Sequence, residues 1–176
     1  MKEKNWCLLG FLFTSVFGSL FHFIYDLYPS GFTAVIGAVN ESTWEHMKLA
    51  FWPMLLFAVA EFLVYGKRSK SFVPIRVFSI LIAVLLIPIL FYGYTGAFGK
   101  SVTALDILIF YVSVCTAYGF SCRQLRHPQA YFGTTWTNVV AILILLALLI
   151  CFLSFTVQPP HIPLFRDPVS GGYGIV

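Results

Sequence analysis

Five apolar stretches divide this 176-residue chain, each close to the ~20 residues that a helix needs to cross a bilayer. They cover residues 6–27, 44–65, 72–92, 105–120 and 136–157. Only 10% of the residues are charged and 59% are hydrophobic, so a soluble fold could not cover its surface with polar groups. We therefore predict an all-α integral membrane bundle of five transmembrane helices over residues 1–157. A Pro- and Gly-rich extracytoplasmic tail, without a helix, follows at residues 158–176.

The distribution of Lys and Arg predicts how the bundle is oriented. Eight basic residues fall on one side of the five stretches and three on the other, and an excess of positive charge marks the cytoplasm. The N-terminus is therefore expected inside and the C-terminus outside. These charges sit in short clusters between apolar runs, which indicates the lipid bilayer as the partner and argues against nucleic acid. The inner set is Lys2, Lys4, Lys67, Arg68, Lys70, Arg76, Arg123 and Arg126, and the outer set is Lys48, Lys100 and Arg166.

A polar decapeptide, residues 40–49 (NESTWEHMKL), stands at the outer start of the second stretch. Ser42 and Glu45 match a capping box, in which Ser42 caps the helix and the Glu45 side chain returns to the Ser42 backbone N–H. Lys48 is expected to extend to the interface and pair with Glu45. The cap does not explain His46. A neutral imidazole at this position is available to bind a metal or accept a proton.

Other polar residues fall on the same outer side. His22 and Asp26 are one turn apart on the first helix and share a stripe with Ser15 and Ser19. Because ionisable groups in a membrane helix usually face the bundle interior, the stripe is expected to line it, with Gly18 allowing close approach. It is either half of an ion site or a structural pin.

Two further acidic residues have structural readings. Asp106 is expected to cap the fourth helix. Glu61, at the inner end of the second helix, is expected to reach toward Lys67 and Arg68.

Together these positions define a candidate site on the outer face. Three imidazoles near carboxylates suit zinc or another divalent cation, although no standard spacing such as H-E-x-x-H is present and no cofactor is certain. The metal ligands would be His22, His46 and His161, if the tail folds over the outer ends of the helices. Glu45 or Asp26 would be the catalytic candidate, activating a metal-bound water. The remaining polar site residues are Asn40, Glu41, Lys48 and Asp106.

A family resemblance rests on residues 22–26 (HFIYD), 40–49 and 51–54 (FWPM). With these segments the chain resembles a family of small bacterial polytopic membrane proteins that carry an N-E-S-x-W-E-H-x-K-L signature. The resemblance implies a multi-pass protein of the bacterial cytoplasmic membrane and implies no activity. A second resemblance, to membrane hydrolases of the alkaline ceramidase type, rests on the H-x-x-x-D of His22 and Asp26. The H-x-x-x-H that those hydrolases carry on a late helix has no counterpart in this sequence.

Three functions remain open from the sequence. The first is a membrane protein whose outer polar site binds a cation, a small solute or a lipid headgroup. The second is a membrane-embedded, metal-dependent hydrolase acting on a lipid-like substrate. The third is a structural or interaction protein with polar helix contacts and no ligand. Whether the chain is an enzyme, and its oligomeric state, stay open.

Overall fold

The computed structural model describes residues 3–175, with side chains from Lys4 onward, and is all-α over that range. Lys2, part of the predicted cytoplasmic flank, lies outside the described residues. Five of the six helices are long and apolar enough to cross a membrane. Two segments pair by a single isolated bridge, Arg166 with Tyr173, and the described residues contain no strand. The helices are α1 (Glu3–Leu27), α2 (Gly31–Ile36), α3 (Thr43–Val64), α4 (Phe72–Phe98), α5 (Thr103–Arg126) and α6 (Thr135–Val157).

The five predicted stretches correspond to α1, α3, α4, α5 and α6, with two differences in length. Helix α4 continues past residue 92 through Gly93 and Gly96 and ends at Gly99, whose φ of 72° terminates it in the left-handed region. Helix α5 extends beyond the predicted 105–120 at both ends. The short α2, capped by Ser30, was not predicted because a six-residue helix is too short to give an apolar spanning signal.

Helix α4 lies at the centre of the bundle and packs against α3, α5 and α6, while α1 packs against α3 and α5. The approach of α1 to α3 depends on Gly18, as expected. A Cβ at this position would lie 2.7 Å from the Leu49 carbonyl oxygen, so only glycine fits without moving a backbone. This close contact brings the C-terminal end of α1 beside the N-terminal end of α3.

The end of the bundle that holds Lys4, Lys67 and Arg126 contains a buried ion pair between Glu61 and Arg76. Glu61 is 0% exposed and accepts hydrogen bonds from the guanidinium of Arg76 and from the Tyr65 hydroxyl. The prediction that Glu61 reaches toward Lys67 and Arg68 was therefore wrong. Arg76 belongs to α4 and is also buried, so it is not the loop charge that its place in the sequence suggested.

The C-terminal tail docks on the opposite end of the bundle. Phe165 is buried, with its ring centroid 4.7 Å from that of Trp44 and 5.3 Å from that of Phe155. Its backbone forms one short 3-10 turn, Pro163–Phe165, where no helical structure was predicted. The Asp167 N–H then donates to the Gly172 carbonyl at 3.0 Å, which closes the tail into a hairpin-like loop. The tail thus helps to shape the end of the bundle on which the polar decapeptide lies.

Candidate functional site

Two imidazoles and one carboxylate converge where α1 meets the start of α3. The Nε2 atoms of His22 and His46 each lie 3.5 Å from Oε2 of Glu41. The two imidazole ring centroids are 5.2 Å apart. Each residue offers one ligand atom, and the three atoms lie within 4.8 Å of one another. We call these three residues the outer cluster, after the side of the bundle on which the sequence predicts them.

Local backbone structure orients His46 within the cluster. Its Nδ1 lies 2.9 Å from the backbone carbonyl oxygen of Ser42, one turn earlier in the chain. Because a carbonyl oxygen only accepts, a proton on Nδ1 satisfies this contact and leaves Nε2, which faces Glu41, as the ligand atom. Metal-ligating histidines commonly have this outer hydrogen bond. His22 lacks an equivalent, since its Nδ1 is buried and has no hydrogen-bond partner among the described residues.

Glu41 lies in the loop before α3 and is the most exposed member of the cluster, with 47% of its side chain accessible. The imidazole of His22, whose Nε2 lies 3.5 Å from Oε2, is the main cause that lowers the pKa of the Glu41 carboxyl from its ordinary value. A carboxylate that remains ionised and half-exposed between two imidazoles can bridge to a cation. The cluster therefore combines a charged oxygen ligand with two nitrogen ligands.

The other charged residues of the decapeptide form a closed group on α3. Lys48 is fully buried and donates to the Glu45 carboxylate at 2.5 Å, to the Ala34 carbonyl at 2.7 Å and to the Thr156 hydroxyl at 3.1 Å. The Glu45 carboxylate also accepts a hydrogen bond from the Val39 N–H at 3.0 Å. We call Glu45 and Lys48 the closed pair.

The closed pair corrects two predictions. Lys48 does pair with Glu45, but it lies inside the bundle and does not extend to the interface. The capping box is only half formed, because Ser42 Oγ accepts from the Glu45 N–H at 3.4 Å while the Glu45 carboxylate turns to Lys48. The Ser42 N–H donates instead to Oδ1 of Asn40 at 2.9 Å. Glu45 is 2% exposed, so its carboxylate is not accessible to a water in the outer cluster.

Asn40 also links the decapeptide to the tail. Its Nδ2 donates to the carbonyl oxygen of Gly174 at 2.7 Å, although Gly174 is 134 positions further along the chain. The tail loop is itself fixed by Asp167, whose carboxylate accepts from the N–H groups of Val169 and Ser170. Burial acts to raise the pKa of Asp167, but these bonds and the Ser170 hydroxyl bring the pKa below its ordinary value.

Three predicted site residues lie apart from the outer cluster. His161 is exposed and stacks on the ring of Tyr173, with centroids 4.5 Å apart, so the docked tail does not bring it to His22 and His46. Asp26 is exposed at the end of α1, one turn from His22, and does not line the bundle interior. Asp106 does not cap α5, because it accepts a hydrogen bond from the Tyr94 hydroxyl on α4.

A cavity of about 420 Å³ opens beside the outer cluster and shares Glu41 as part of its wall. The decapeptide, α4 and the tail all contribute to it. The cavity needs the docked tail, and nothing in the sequence spacing indicated that Arg166 and Tyr92 would face the same space. Its other lining residues are Thr43, Phe91, Tyr92, Pro163, Arg166, Asp167, Pro168 and Tyr173.

Comparison with known proteins identifies the family but no activity. A model described as a family of unknown function, DUF6512, matches residues 1–175, and the chain belongs to this family. No curated protein and no solved structure matches the chain.

Proposed function

We propose that this member of DUF6512 is a multi-pass membrane protein that binds a divalent transition-metal ion, with zinc as the best fit, at His22, Glu41 and His46. The sequence left three ligand classes open, namely a cation, a small solute and a lipid headgroup, and the proposal selects the cation. It replaces His161 with Glu41 as the third ligand.

The observation that carries the proposal is the convergence of two imidazole Nε2 atoms on one carboxylate oxygen, at 3.5 Å each. A tetrahedral zinc ion with ligand bonds of about 2.0–2.1 Å holds its ligand atoms roughly 3.3 Å apart. Both distances to Glu41 are close to this separation. The His22 and His46 ligand atoms, within 4.8 Å of each other, would have to close by on the order of an ångström.

Ligand chemistry favours zinc over the hard cations. Imidazole nitrogen suits zinc and other late first-row metals, whereas magnesium and calcium prefer all-oxygen sites. Two histidines and one glutamate leave a fourth position for water or an exogenous ligand, which is typical of catalytic and transport sites. The half-exposed cluster also gives an ion a route in from the end of the bundle.

The same proposal includes an orientation and a location. Once buried Lys48 and Arg76 are set aside, six basic residues of the described part of the chain remain at the Lys4 end of the bundle and two at the end with the outer cluster. By the positive-inside rule, the cluster and the tail at residues 158–176 would face outward from a bacterial cytoplasmic membrane, with the N-terminus inside. The first 157 residues would then form the transmembrane domain.

Metal binding can be tested with the four histidines of the chain, which provide their own controls. The protein, purified in detergent and stripped with a chelator, would be titrated with zinc and its bound zinc measured after desalting. His22→Ala and His46→Ala should each weaken binding at least about a hundredfold, because even loss of a supporting partner costs ten- to a hundredfold. His127→Ala, at the opposite end, and His161→Ala, on the tail, should bind zinc as wild type does.

Two results would contradict the proposal. One is a folded wild-type protein that takes up no zinc, cobalt or manganese. The other is equal loss of zinc in all four histidine variants, which would indicate binding without a defined site.

The cavity next to Glu41 favours one second candidate function, a metal-dependent hydrolase with a lipid-like substrate. Zinc would activate a water there, and Asp26, one turn from His22, is the remaining candidate base, since Glu45 is held by Lys48. Zinc-dependent release of fatty acid from lipid substrates, lost in His46→Ala, would support it. If zinc-loaded wild type shows no such turnover on a broad panel of lipid esters and amides, the hydrolase function is contradicted and metal binding remains as the proposed function.

A further inference from the structure

We propose that the cavity beside Glu41 holds the phosphate group of an anionic ligand, with Arg166 binding its oxygens on one wall and the metal ion of the outer cluster on the other. The inference rests on the proposed metal site, because the ion supplies part of the charge that attracts the phosphate. It names the ligand class that the metal site would act on.

The charges around the cavity suggest an anion only when the ion is present. Among the lining residues, Glu41 and Asp167 are acidic and Arg166 is basic. The carboxylate of Asp167 is held by the backbone and hydroxyl of its own loop, and that of Glu41 by the two imidazoles. A divalent ion at Glu41 changes the sum of these formal charges from negative to positive. Anion binding should therefore depend on metal.

Arg166 is suited to bind the anion. It is exposed at the cavity wall, and no ion pair within residues 3–175 uses its guanidinium. A guanidinium presents paired N–H donors that match phosphate oxygens. Three residues with hydroxyl groups, Thr43, Tyr92 and Tyr173, line the same space. Thr43 donates to the Tyr92 hydroxyl at 3.4 Å, which leaves the Tyr92 proton for another acceptor.

The depth of the cavity indicates where such a ligand would come from. Thr43 is the first residue of α3, and Tyr92 lies two turns before the end of α4, so the cavity is at the boundary of the apolar spans. Phospholipid phosphates lie at this level of a bilayer, where tyrosine is also enriched. A volume of about 420 Å³ suits a headgroup or a small phosphate ester. The shared chemistry is a phosphate monoester, bound either as a lipid headgroup or as a soluble compound.

The test uses the full chain in detergent, either metal-free or loaded with one equivalent of zinc and desalted. Titration calorimetry would measure binding of three probes: short-chain phosphatidic acid, glycerol phosphate and short-chain phosphatidylcholine. Zinc-loaded wild type should bind phosphatidic acid at least about tenfold more tightly than the metal-free protein does, because the ion adds a charge-assisted contact. Binding of glycerol phosphate as well would identify a soluble source, and binding of phosphatidic acid alone a lipid headgroup.

Variants of Arg166 separate the anion site from the metal site. Arg166→Gln should weaken phosphatidic acid binding by about tenfold or more and keep its zinc and its melting temperature, while Arg166→Lys should be intermediate. Arg123→Gln, an exposed arginine at the other end, is the matched control and should match wild type.

The outcomes distinguish this inference from the proposed function. Zinc-loaded wild type that binds neither phosphate probe, or that binds phosphatidylcholine as tightly as phosphatidic acid, would overturn the inference alone. Unchanged binding in Arg166→Gln would also overturn it. A wild type that binds no zinc would overturn both.

Discussion

The outer cluster and the closed pair come from the same decapeptide, yet their polar atoms are used differently. In the closed pair, the Lys48 ammonium has three acceptors inside the bundle and Glu45 also accepts a backbone N–H. In the outer cluster, two imidazoles face one half-exposed carboxylate, and no lysine or arginine pairs with it within the described residues. The difference separates charges whose partners are complete inside the bundle from a carboxylate whose partners are incomplete, and only the second has atoms available to a ligand.

Breaking the closed pair should have the largest effect on stability. Lys48→Met leaves the Glu45 carboxylate buried without its counter-ion, and the loss of one partner of a buried pair costs about 3–5 kcal/mol. Chemical denaturation in detergent would measure the change in the free energy of unfolding. The double variant Glu45→Gln/Lys48→Met should recover most of the loss, and Lys100→Met, at an exposed lysine, should resemble wild type. A single Lys48→Met variant as stable as wild type would show that the pair is dispensable.

Removing Phe165, which anchors the tail, should have the next largest effect, because its buried ring packs against Trp44 at the start of α3. Phe165→Ala removes a buried ring from Trp44 and should destabilise the docked tail by about 3 kcal/mol. Limited trypsin digestion would report this as faster cleavage at Arg166. Phe98→Ala, at a ring that is 70% exposed, should leave the cleavage rate unchanged. Equal rates in both variants would mean that the tail is not held by Phe165.

Zinc should stabilise the protein through the outer cluster alone. At a free zinc concentration of a hundred times Kd, the wild type should gain about 2.7 kcal/mol, because the ion binds only the folded state. Thermal melting with and without zinc would measure the gain. His46→Ala, with its binding weakened at least about a hundredfold, should gain no more than about 0.4 kcal/mol, and His127→Ala should gain as wild type does. A zinc-induced shift that survives in His46→Ala would place the ion elsewhere.

The smallest effect on stability should come from Glu41 in the absence of metal. Glu41→Gln removes contacts of a half-exposed carboxylate, which are worth less than about 1 kcal/mol, so the metal-free variant should melt close to wild type. The same variant should bind zinc far more weakly. Destabilisation as large as that of Lys48→Met would mean that the outer cluster is a structural contact like the closed pair.

The helices were predictable from the sequence because apolar length is a direct signal of a membrane span. The five stretches correspond to five helices that are long and apolar enough to cross a membrane, and the close approach at Gly18 followed from its place beside the His22 stripe. Helix ends were less predictable. Helix α4 continues through Gly93 and Gly96 because only Gly99 adopts the left-handed conformation that ends it.

The site was only partly predictable because side-chain partners depend on packing between distant segments. Local spacing singled out His22 and His46, which the structure brings together, but it could not show that Glu41 would lie between them. Helix rules assigned Glu45 to a cap, and its carboxylate was instead drawn to the buried ammonium of Lys48. The position of His161 depended on how the tail docks, which no periodic pattern encodes.

The central claim is that the outer cluster holds a metal ion, and the zinc X-ray absorption spectrum of the loaded protein tests it most directly. The account predicts a shell of nitrogen and oxygen ligands at about 2.0–2.1 Å with the outer scattering of two imidazoles. A spectrum with sulfur ligands at about 2.3 Å, or one with no imidazole scattering, would place the ion on cysteines or in solvent and contradict the account.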